Sequence, residues 1–170
     1  SSEVLNCATM GLSAGGHILA SELTFNPPLS YAQEKGVAVR TVPLDATMGI
    51  DLRAMAAAVT ADTRLVHVCN PNNPTGRLLP AADLRRLAAG LGPNVVLLVD
   101  EAYNELTDDP AANSLVDRVR AGDAVVVART FSKIYGLAGM RVGYALARPD
   151  IIARMKPWSM SVGNSVSGLA

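Results

Sequence analysis

The chain has 170 residues, 49% hydrophobic and 18% charged, which is the composition of an ordinary globular domain with one sizeable core. Fifteen basic residues balance fifteen acidic residues and neither charge gathers in a long run, so the composition favours neither nucleic acid nor an anionic membrane as a partner. The longest apolar stretches, such as residues 95–99, are far shorter than the ~20 residues that a membrane-spanning helix needs.

The first part of the chain predicts alternating helices and strands. The patterns indicate helices at 3–10 and 29–35, and weaker strands at 17–21 and 37–43. Asp51 is placed to cap a further helix that continues to Val59, because an aspartate at that position can accept a hydrogen bond from a free backbone amide.

Three apolar, β-branched runs follow at residues 65–69, 95–99 and 124–128. Each run is polar only at its end, which is typical of a strand buried on both faces. The runs recur about every thirty residues, the length of a βαβ unit. Helical patterns lie between them at 80–91 and 114–120. The alternation predicts an α/β fold with three αβα layers and a mostly parallel sheet.

The last predicted elements reverse the direction of the chain. Residues 141–147 have a strand pattern after a loop too short for a crossover helix, so this strand is predicted to pair antiparallel. Asp150 is predicted to cap a helix that ends at Met155. No repeat or linker interrupts the pattern. We therefore expect residues 1–170 to form one domain that is incomplete at both ends.

Polar side chains follow each of the three strong strands. Because the carboxyl ends of parallel strands share one edge, where ligands bind in open α/β sheets, these groups are expected to meet. The motifs are Asn70-Pro71-Asn72-Asn73-Pro74-Thr75-Gly76, Asp100-Glu101-Ala102-Tyr103 and Thr130-Phe131-Ser132-Lys133.

Each motif alone also has a structural explanation. Asn and Pro clusters usually form turns, and a single lysine or arginine usually lies at the surface. An apolar strand that ends in Asp-Glu resembles the metal-binding strand of a P-loop ATPase, but the chain contains no G-x-x-x-x-G-K-[ST]. Tyr103 could be a core ring, and Ser1 and Ser2 could be a simple helix cap. The combination is what points to a function.

Together the motifs resemble the signature of fold-type I enzymes that use pyridoxal 5'-phosphate (PLP). The resemblance rests on Asn73-Pro74-Thr75-Gly76, on Asp100-Glu101-Ala102-Tyr103, and on Ser132-Lys133 with Arg141 eight residues later. Within these enzymes the chain is similar to class I/II aminotransferases of the histidinol-phosphate aminotransferase-like group, whose pattern resembles residues 130–144, TFSKIYGLAGMRVGY. The resemblance implies a large PLP-binding domain whose amino-terminal segment and small carboxy-terminal domain lie outside this chain.

The resemblance also implies a catalytic group of Lys133, Asp100 and Tyr103. Lys133 would hold PLP as a Schiff base and carry a proton, and Asp100 would keep the pyridine nitrogen protonated so that PLP acts as an electron sink. Tyr103 and Asn73 would donate hydrogen bonds to the phenolic oxygen. The phosphate would be bound by Thr130, Ser132, Arg141 and the amides of Ser1 and Ser2.

The sequence departs from the family where an aromatic ring normally stacks on the cofactor. Counting from Phe25, the usual tyrosine position holds Pro28, so Phe25, Pro28 and Tyr31 remain candidates for this contact. The Asn73-Pro74 bond is predicted to be cis, as in relatives of the family. In the family the arginine that grips the substrate carboxylate lies in the small domain, so this segment alone is expected to be inactive.

The predicted function is transfer of an amino group between an amino acid or amino-phosphate donor and a 2-oxo acid. Decarboxylation and lyase reactions use the same cofactor contacts and remain open. A PLP-sensing domain of a transcription regulator and an α/β domain without a cofactor are further alternatives. The resemblance implies a homodimer for the full-length protein, with no nucleic acid or membrane partner.

The cysteines and the first residues bear on localisation. Cys7 and Cys69 lie far apart without metal-ligand spacing, which predicts reduced thiols and no metal site. Residues 1–3 lack the basic and apolar regions of a secretory signal, although upstream sequence could be missing. The expected location is the cytoplasm.

Overall fold

A single six-stranded sheet organises the computed structural model, which describes residues 2–159. Its order is β2-β1-β3-β4-β5-β6; the first five strands are parallel to their neighbours, and β6 is antiparallel to β5. The predicted α/β fold, including its antiparallel strand, is confirmed. The strands are β1 (His17–Ser21), β2 (Ala38–Val42), β3 (Thr63–Cys69), β4 (Val96–Asp100), β5 (Val125–Thr130) and β6 (Gly143–Leu146).

Helices cover both faces of the sheet and form the outer layers. Their cores identify a front face, packed against α1, α2 and α7, and a back face, packed against α3, α4 and α6. Short 3-10 helices lie at Asn104–Leu106, Ala138–Met140 and Lys156–Trp158. The α-helices are α1 (Ser2–Leu12), α2 (Pro27–Glu34), α3 (Leu52–Ala58), α4 (Ala81–Gly90), α5 (Pro110–Asn113), α6 (Val116–Arg120) and α7 (Pro149–Met155).

The central strands are apolar throughout because both of their faces are buried. Successive side chains point to opposite faces, so Leu98 joins the front core and its neighbour Leu97 joins the back core. Both leucines are fully buried. Burial of one such side chain contributes about 1.5–3 kcal/mol, so the two cores supply much of the stability that fixes the strand ends.

Three predicted boundaries were wrong for local reasons. The helix predicted at 114–120 begins two residues later, as α6, because Ser114 is extended with ψ 149°; the short helix α5 before Ser114 was not predicted. β6 begins at Gly143 and not at Arg141, since Arg141 has φ 56° in the left-handed region. The cap of α7 is Arg148, and Asp150 lies in its first turn. The Asp51 cap is confirmed by its 2.9 Å bond from the Ala54 amide.

Both cysteines lie inside the fold. Cys7 and Cys69 are buried and are not joined by a disulfide. Within residues 2–159, no helix combines the length and the hydrophobicity required to cross a bilayer.

His67 is a buried polar residue without a polar partner. It lies in β3, two residues after Leu65 of the front core, and is 0% exposed. Among the described residues, neither of its ring nitrogens has a hydrogen-bond partner. Burial lowers the pKa of His67 to about 4. The imidazole is therefore neutral at pH 7, and its unsatisfied nitrogens cost stability.

We expect His67→Leu to stabilise the protein at pH 7 by about 1 kcal/mol, because it removes unsatisfied polar atoms with little change of volume. The unfolded histidine titrates near 6.5 and the folded one near 4, so the wild type should lose up to about 3 kcal/mol as the pH falls through this window. Urea unfolding at several pH values measures both effects. An identical pH dependence in wild type and variant between pH 4 and 6.5 would contradict the prediction.

Candidate active site

The predicted site lies at the carboxyl edge of the parallel strands. After β1 the chain moves to β2 on one side and then crosses to β3 on the other, so the topological switch falls between β1 and β3. β3, β4 and β5 end at Cys69, Asp100 and Thr130. Only residues 13–16 link α1 to β1, and so short a link turns the chain back on itself, which directs the amino end of α1 to the same edge.

Asp100 is the buried carboxyl group at this edge of the sheet, at the end of β4. In the sheet it is paired with Cys69 on one side and Ala128 on the other, and it is 2% exposed. Its Oδ1 accepts a 3.2 Å hydrogen bond from the Ala102 amide, which uses one of the roughly four acceptor positions of a carboxylate. Burial raises the pKa of Asp100 to about 6, while the charge of Lys133 acts in the opposite direction. The carboxyl group therefore favours a nearby positive charge.

Lys133 and Tyr103 contact each other at the same edge of the sheet. The Lys133 Nζ lies 5.1 Å from the centre of the Tyr103 ring, within the range of a cation–π contact. Lys133 is exposed, and its turn is closed by a hydrogen bond from the Gly136 amide to the Lys133 carbonyl. The Phe131 ring packs against Tyr135 and Tyr144 and anchors the same turn to β6. The structure thus brings together all three predicted catalytic residues.

The asparagine loop uses two of its three amides for its own structure. Asn70 accepts from the Leu79 amide at 2.8 Å and donates to the Leu79 carbonyl at 3.2 Å. Asn72 donates to the Leu23 carbonyl and accepts from the Thr24 hydroxyl. Asn73 lines a cavity of about 520 Å³ together with Asn72 and Tyr103. The predicted cis bond at Asn73-Pro74 is confirmed, and Asn70-Pro71 is also cis.

The predicted phosphate-binding residues lie around the same edge but do not all converge. Thr130 is buried and its hydroxyl accepts a bond from the Ser132 amide at 3.1 Å. Arg141 is exposed and donates to the Ala138 carbonyl of its own turn. Ser2 is exposed at the start of α1, and Ser1 lies outside the described residues. The geometry places Thr130 and Ser132 together and leaves Arg141 engaged locally.

The structure does not single out one of the three candidate stacking residues. Phe25 packs on the front core, and its backbone lies beside the Cys69 thiol, whose pKa burial raises to about 12. Cys69 is the strand neighbour of Asp100. Pro28 is buried in α2, and Tyr31 packs on the front core with Lys35 over its ring at 5.7 Å.

A buried charge network behind the site was not predicted. Glu101, 1% exposed, accepts hydrogen bonds from Arg129, the Ser114 hydroxyl and the Leu115 amide. Arg129 also donates to Glu105 at 3.2 Å. An arginine inside the otherwise apolar run of β5 was the one sequence signal for this network, because such a residue needs a buried partner.

Comparison with known proteins identifies a family. The model of the family "Aminotransferase class I and II" matches residues 1–168. Histidinol-phosphate aminotransferase 1 of Cupriavidus pinatubonensis is 45% identical over 153 residues, which are 89% of this chain and 40% of that protein. Aromatic amino acid aminotransferase of Mycobacteroides abscessus is 53% identical over 105 residues, 62% of this chain and 30% of that protein.

A solved structure shows the same fold with a ligand. The histidinol-phosphate aminotransferase from Sinorhizobium meliloti, in complex with pyridoxal-5'-phosphate, matches with a TM-score of 0.79 and 29% identity. The match covers 96% of this chain and 43% of that one. The chain thus spans less than half the length of each of these three proteins.

We expect Asp100→Asn to stabilise the cofactor-free protein at pH 7.5 by up to about 3 kcal/mol, because the variant no longer buries a carboxylate. The folded pKa is raised, so the wild type should lose stability as the pH rises from about 4 to about 6. Asparagine keeps an oxygen for the Ala102 amide. Urea unfolding at pH 4 and 7.5 measures the difference.

The exposed helix-capping Asp109 provides the matched control. Asp109→Asn keeps a good capping residue and should change the free energy of unfolding little at either pH. A loss of stability in Asp100→Asn at pH 7.5 would show that the buried carboxylate is not a source of strain.

Proposed function

This chain belongs to the family of class I and II aminotransferases, and from that membership we propose that the full-length protein is a PLP-dependent aminotransferase. It would move an amino group from an amino acid or amino-phosphate donor to a 2-oxo acid. The observation that carries the proposal is the meeting of Lys133, Tyr103 and the buried Asp100 at one sheet edge.

The residues at this edge fit PLP. A cation beside the buried Asp100 carboxyl group would offset the cost of ionising it. The protonated pyridine nitrogen of PLP is such a cation. An accessible amine is what an aldehyde needs, and Lys133 is exposed. When bound, PLP supplies an electron sink for the bond that breaks at the substrate α-carbon.

Each side chain then has a separate task. The Lys133 Nζ would attach the cofactor and carry the proton to and from the substrate α-carbon. Asp100 would hold a proton on the pyridine nitrogen. Tyr103 and Asn73 would donate hydrogen bonds to the phenolic oxygen; both line one cavity, although Asp100 and Lys133 are not among the residues that line it.

The phosphate would lie near the ends of β5 and α1. Thr130 and Ser132 supply hydroxyl groups there. Arg141 would leave the Ala138 carbonyl to bind the phosphate with its planar fork, and Ser1 and Ser2 would supply amides at the amino end of α1. Helix amides and hydroxyls of this kind favour an anion.

Amino-group transfer is proposed over decarboxylation or elimination because both sequence relatives described above are named aminotransferases. Their names also define the first donors to assay, histidinol phosphate and aromatic amino acids, each with a 2-oxo acid as acceptor.

We extend the proposal to a homodimer in the cytoplasm. Leu106, Tyr135 and Ile134 are 61%, 53% and 49% exposed near the site, and a partner surface would cover such apolar area. The two free, buried thiols suit a reducing compartment.

The direct test is the absorption spectrum of the full-length protein with PLP. Wild type should show a visible band that is lost in Lys133→Ala, because the covalent attachment point is gone. Asp100→Asn should bind PLP yet lose at least about 100-fold in turnover, since the pyridine nitrogen is no longer held protonated. A colourless wild type after incubation with PLP would overturn the proposal.

Phe25 gives a second test of the site. Phe25→Leu should weaken PLP binding about 2- to 13-fold, because loss of a stacked ring costs about 0.5–1.5 kcal/mol. Fluorescence titration with PLP measures the dissociation constant. Tyr31→Phe is the control and should leave it unchanged, since the ring remains packed on the front core. Equal affinities for wild type and Phe25→Leu would assign the stacking contact elsewhere.

A further inference from the structure

A cluster of charges lies directly behind the candidate site, on the opposite face of the sheet. This back-face cluster consists of Glu101, Glu105, Ser114 and Arg129. The Arg129 Nε and Nη2 donate to Glu101 Oε2 at 3.1 and 2.8 Å, and Nη2 also reaches the Ser114 hydroxyl at 2.9 Å. The carboxylate of Glu101 further accepts from the Ser114 hydroxyl at 2.9 Å and from the Leu115 amide at 2.8 Å.

The cluster is joined to the site by covalent adjacency. Glu101 follows Asp100 at the end of β4, and Arg129 precedes Thr130 at the end of β5. Neighbouring residues of a strand face opposite sides, so Asp100 and Thr130 point to the front where their neighbours point to the back. The Glu101 amide also donates to the Ala128 carbonyl at 2.9 Å and extends the β4–β5 ladder beyond Asp100.

Stability alone does not account for a cluster of this kind. Two buried charges lose their hydration, and apolar residues of similar volume are often as stable or more stable at such places. The pair does restrict the relative orientation of the two side chains, because the planar guanidinium of Arg129 bonds Glu101 only in a narrow range of geometries. The cluster therefore fixes how the ends of β4 and β5 lie relative to each other.

We propose that Glu101 and Arg129 are positioning residues, which hold Asp100 and the turn that carries Lys133 at the separation that the cofactor requires. The inference rests on the proposed function and extends it to residues that do not touch the cofactor. Lys133 lies only three residues beyond Thr130, so a shift of the β5 end moves its amine.

The pair also balances charge beside Asp100. The negative charge of Glu101 acts to raise the pKa of Asp100, in addition to the larger effect of burial. Arg129 offsets that charge, and it also faces Glu105, the Ser114 hydroxyl and the Tyr144 side chain on β6. Removal of the guanidinium alone should make Asp100 harder to ionise, and removal of the Glu101 charge alone should make it easier.

The test uses the full-length protein, first without cofactor. The titration midpoint of Asp100 is measured by NMR with ¹³C-labelled aspartate carboxyl groups, and Asp100→Asn identifies its signal. Arg129→Gln should raise the midpoint and Glu101→Gln should lower it, each by roughly half a pH unit or more. Opposite shifts are not expected from a general loosening of the fold.

PLP affinity provides the second measurement. Arg129→Gln should raise the dissociation constant of PLP at least about 10-fold, because the strand ends are no longer held. Arg129→Lys keeps the charge without the fork, so it should leave the Asp100 midpoint near that of wild type while restoring only part of the affinity. If Arg129→Gln does not fold, Arg129→Lys and Glu101→Gln still carry the test.

Asp123→Asn is the matched control. It breaks the partly buried Arg118–Asp123 ion pair just before the other end of β5 and should change neither measurement. Wild-type midpoints and PLP affinities in all the cluster variants would overturn the inference. A wild type that does not bind PLP would overturn the proposed function instead, whatever the titration of Asp100 shows.

Discussion

Burial of the Asp100 carboxyl group is the constraint on which the rest of the site depends. The group lies at the end of β4 between two other strands, where water is excluded and its pKa rises to about 6. The free energy of unfolding of a domain of this kind is only about 5–15 kcal/mol. The cost of burying one carboxylate is therefore a substantial fraction of it. The apolar strands and the two helical layers supply the stability that keeps it buried.

At the ends of β4 and β5, the front face of the sheet carries residues of the candidate site and the back face carries the Glu101–Arg129 ion pair. Asp100 and Thr130 face the front, where the amino end of α1 and the turn of Lys133 approach. Glu101 and Arg129 face the back and tie the strands to the loop between α5 and α6. Strand alternation alone produces this division, so two adjacent acidic residues can have unlike environments and unlike roles.

Much of the fold was predictable because it is encoded locally. The apolar runs of β3, β4 and β5 identified the parallel sheet, and the short loop before β6 identified its antiparallel strand. The extended Ser114 was missed because its side chain is held by Glu101, 13 residues away in the chain. The left-handed Arg141 and the Glu101–Arg129 pair depend in the same way on packing that no short pattern encodes.

Part of the candidate site could likewise be predicted from the sequence and part could not. Asp100, Tyr103 and Lys133 could be found because they follow strand ends, and strand ends share an edge. Their roles, and those of the phosphate-binding residues, stay predictions. Phe25, Pro28 and Tyr31 all stay candidates for the stacking contact, because Phe25 and Tyr31 both pack on the front core and Pro28 is buried in α2.

The two hydrogen bonds between the Asn70 side chain and the Leu79 backbone have a consequence for how this loop can vary. The Asn70 side chain bonds both the amide and the carbonyl of Leu79. The two ends of the segment from 70 to 79 are thereby held together, between β3 and α4. A substitution at Leu78, which lines the adjoining cavity, can change the wall of that cavity while Asn73 and the elements on either side keep their places.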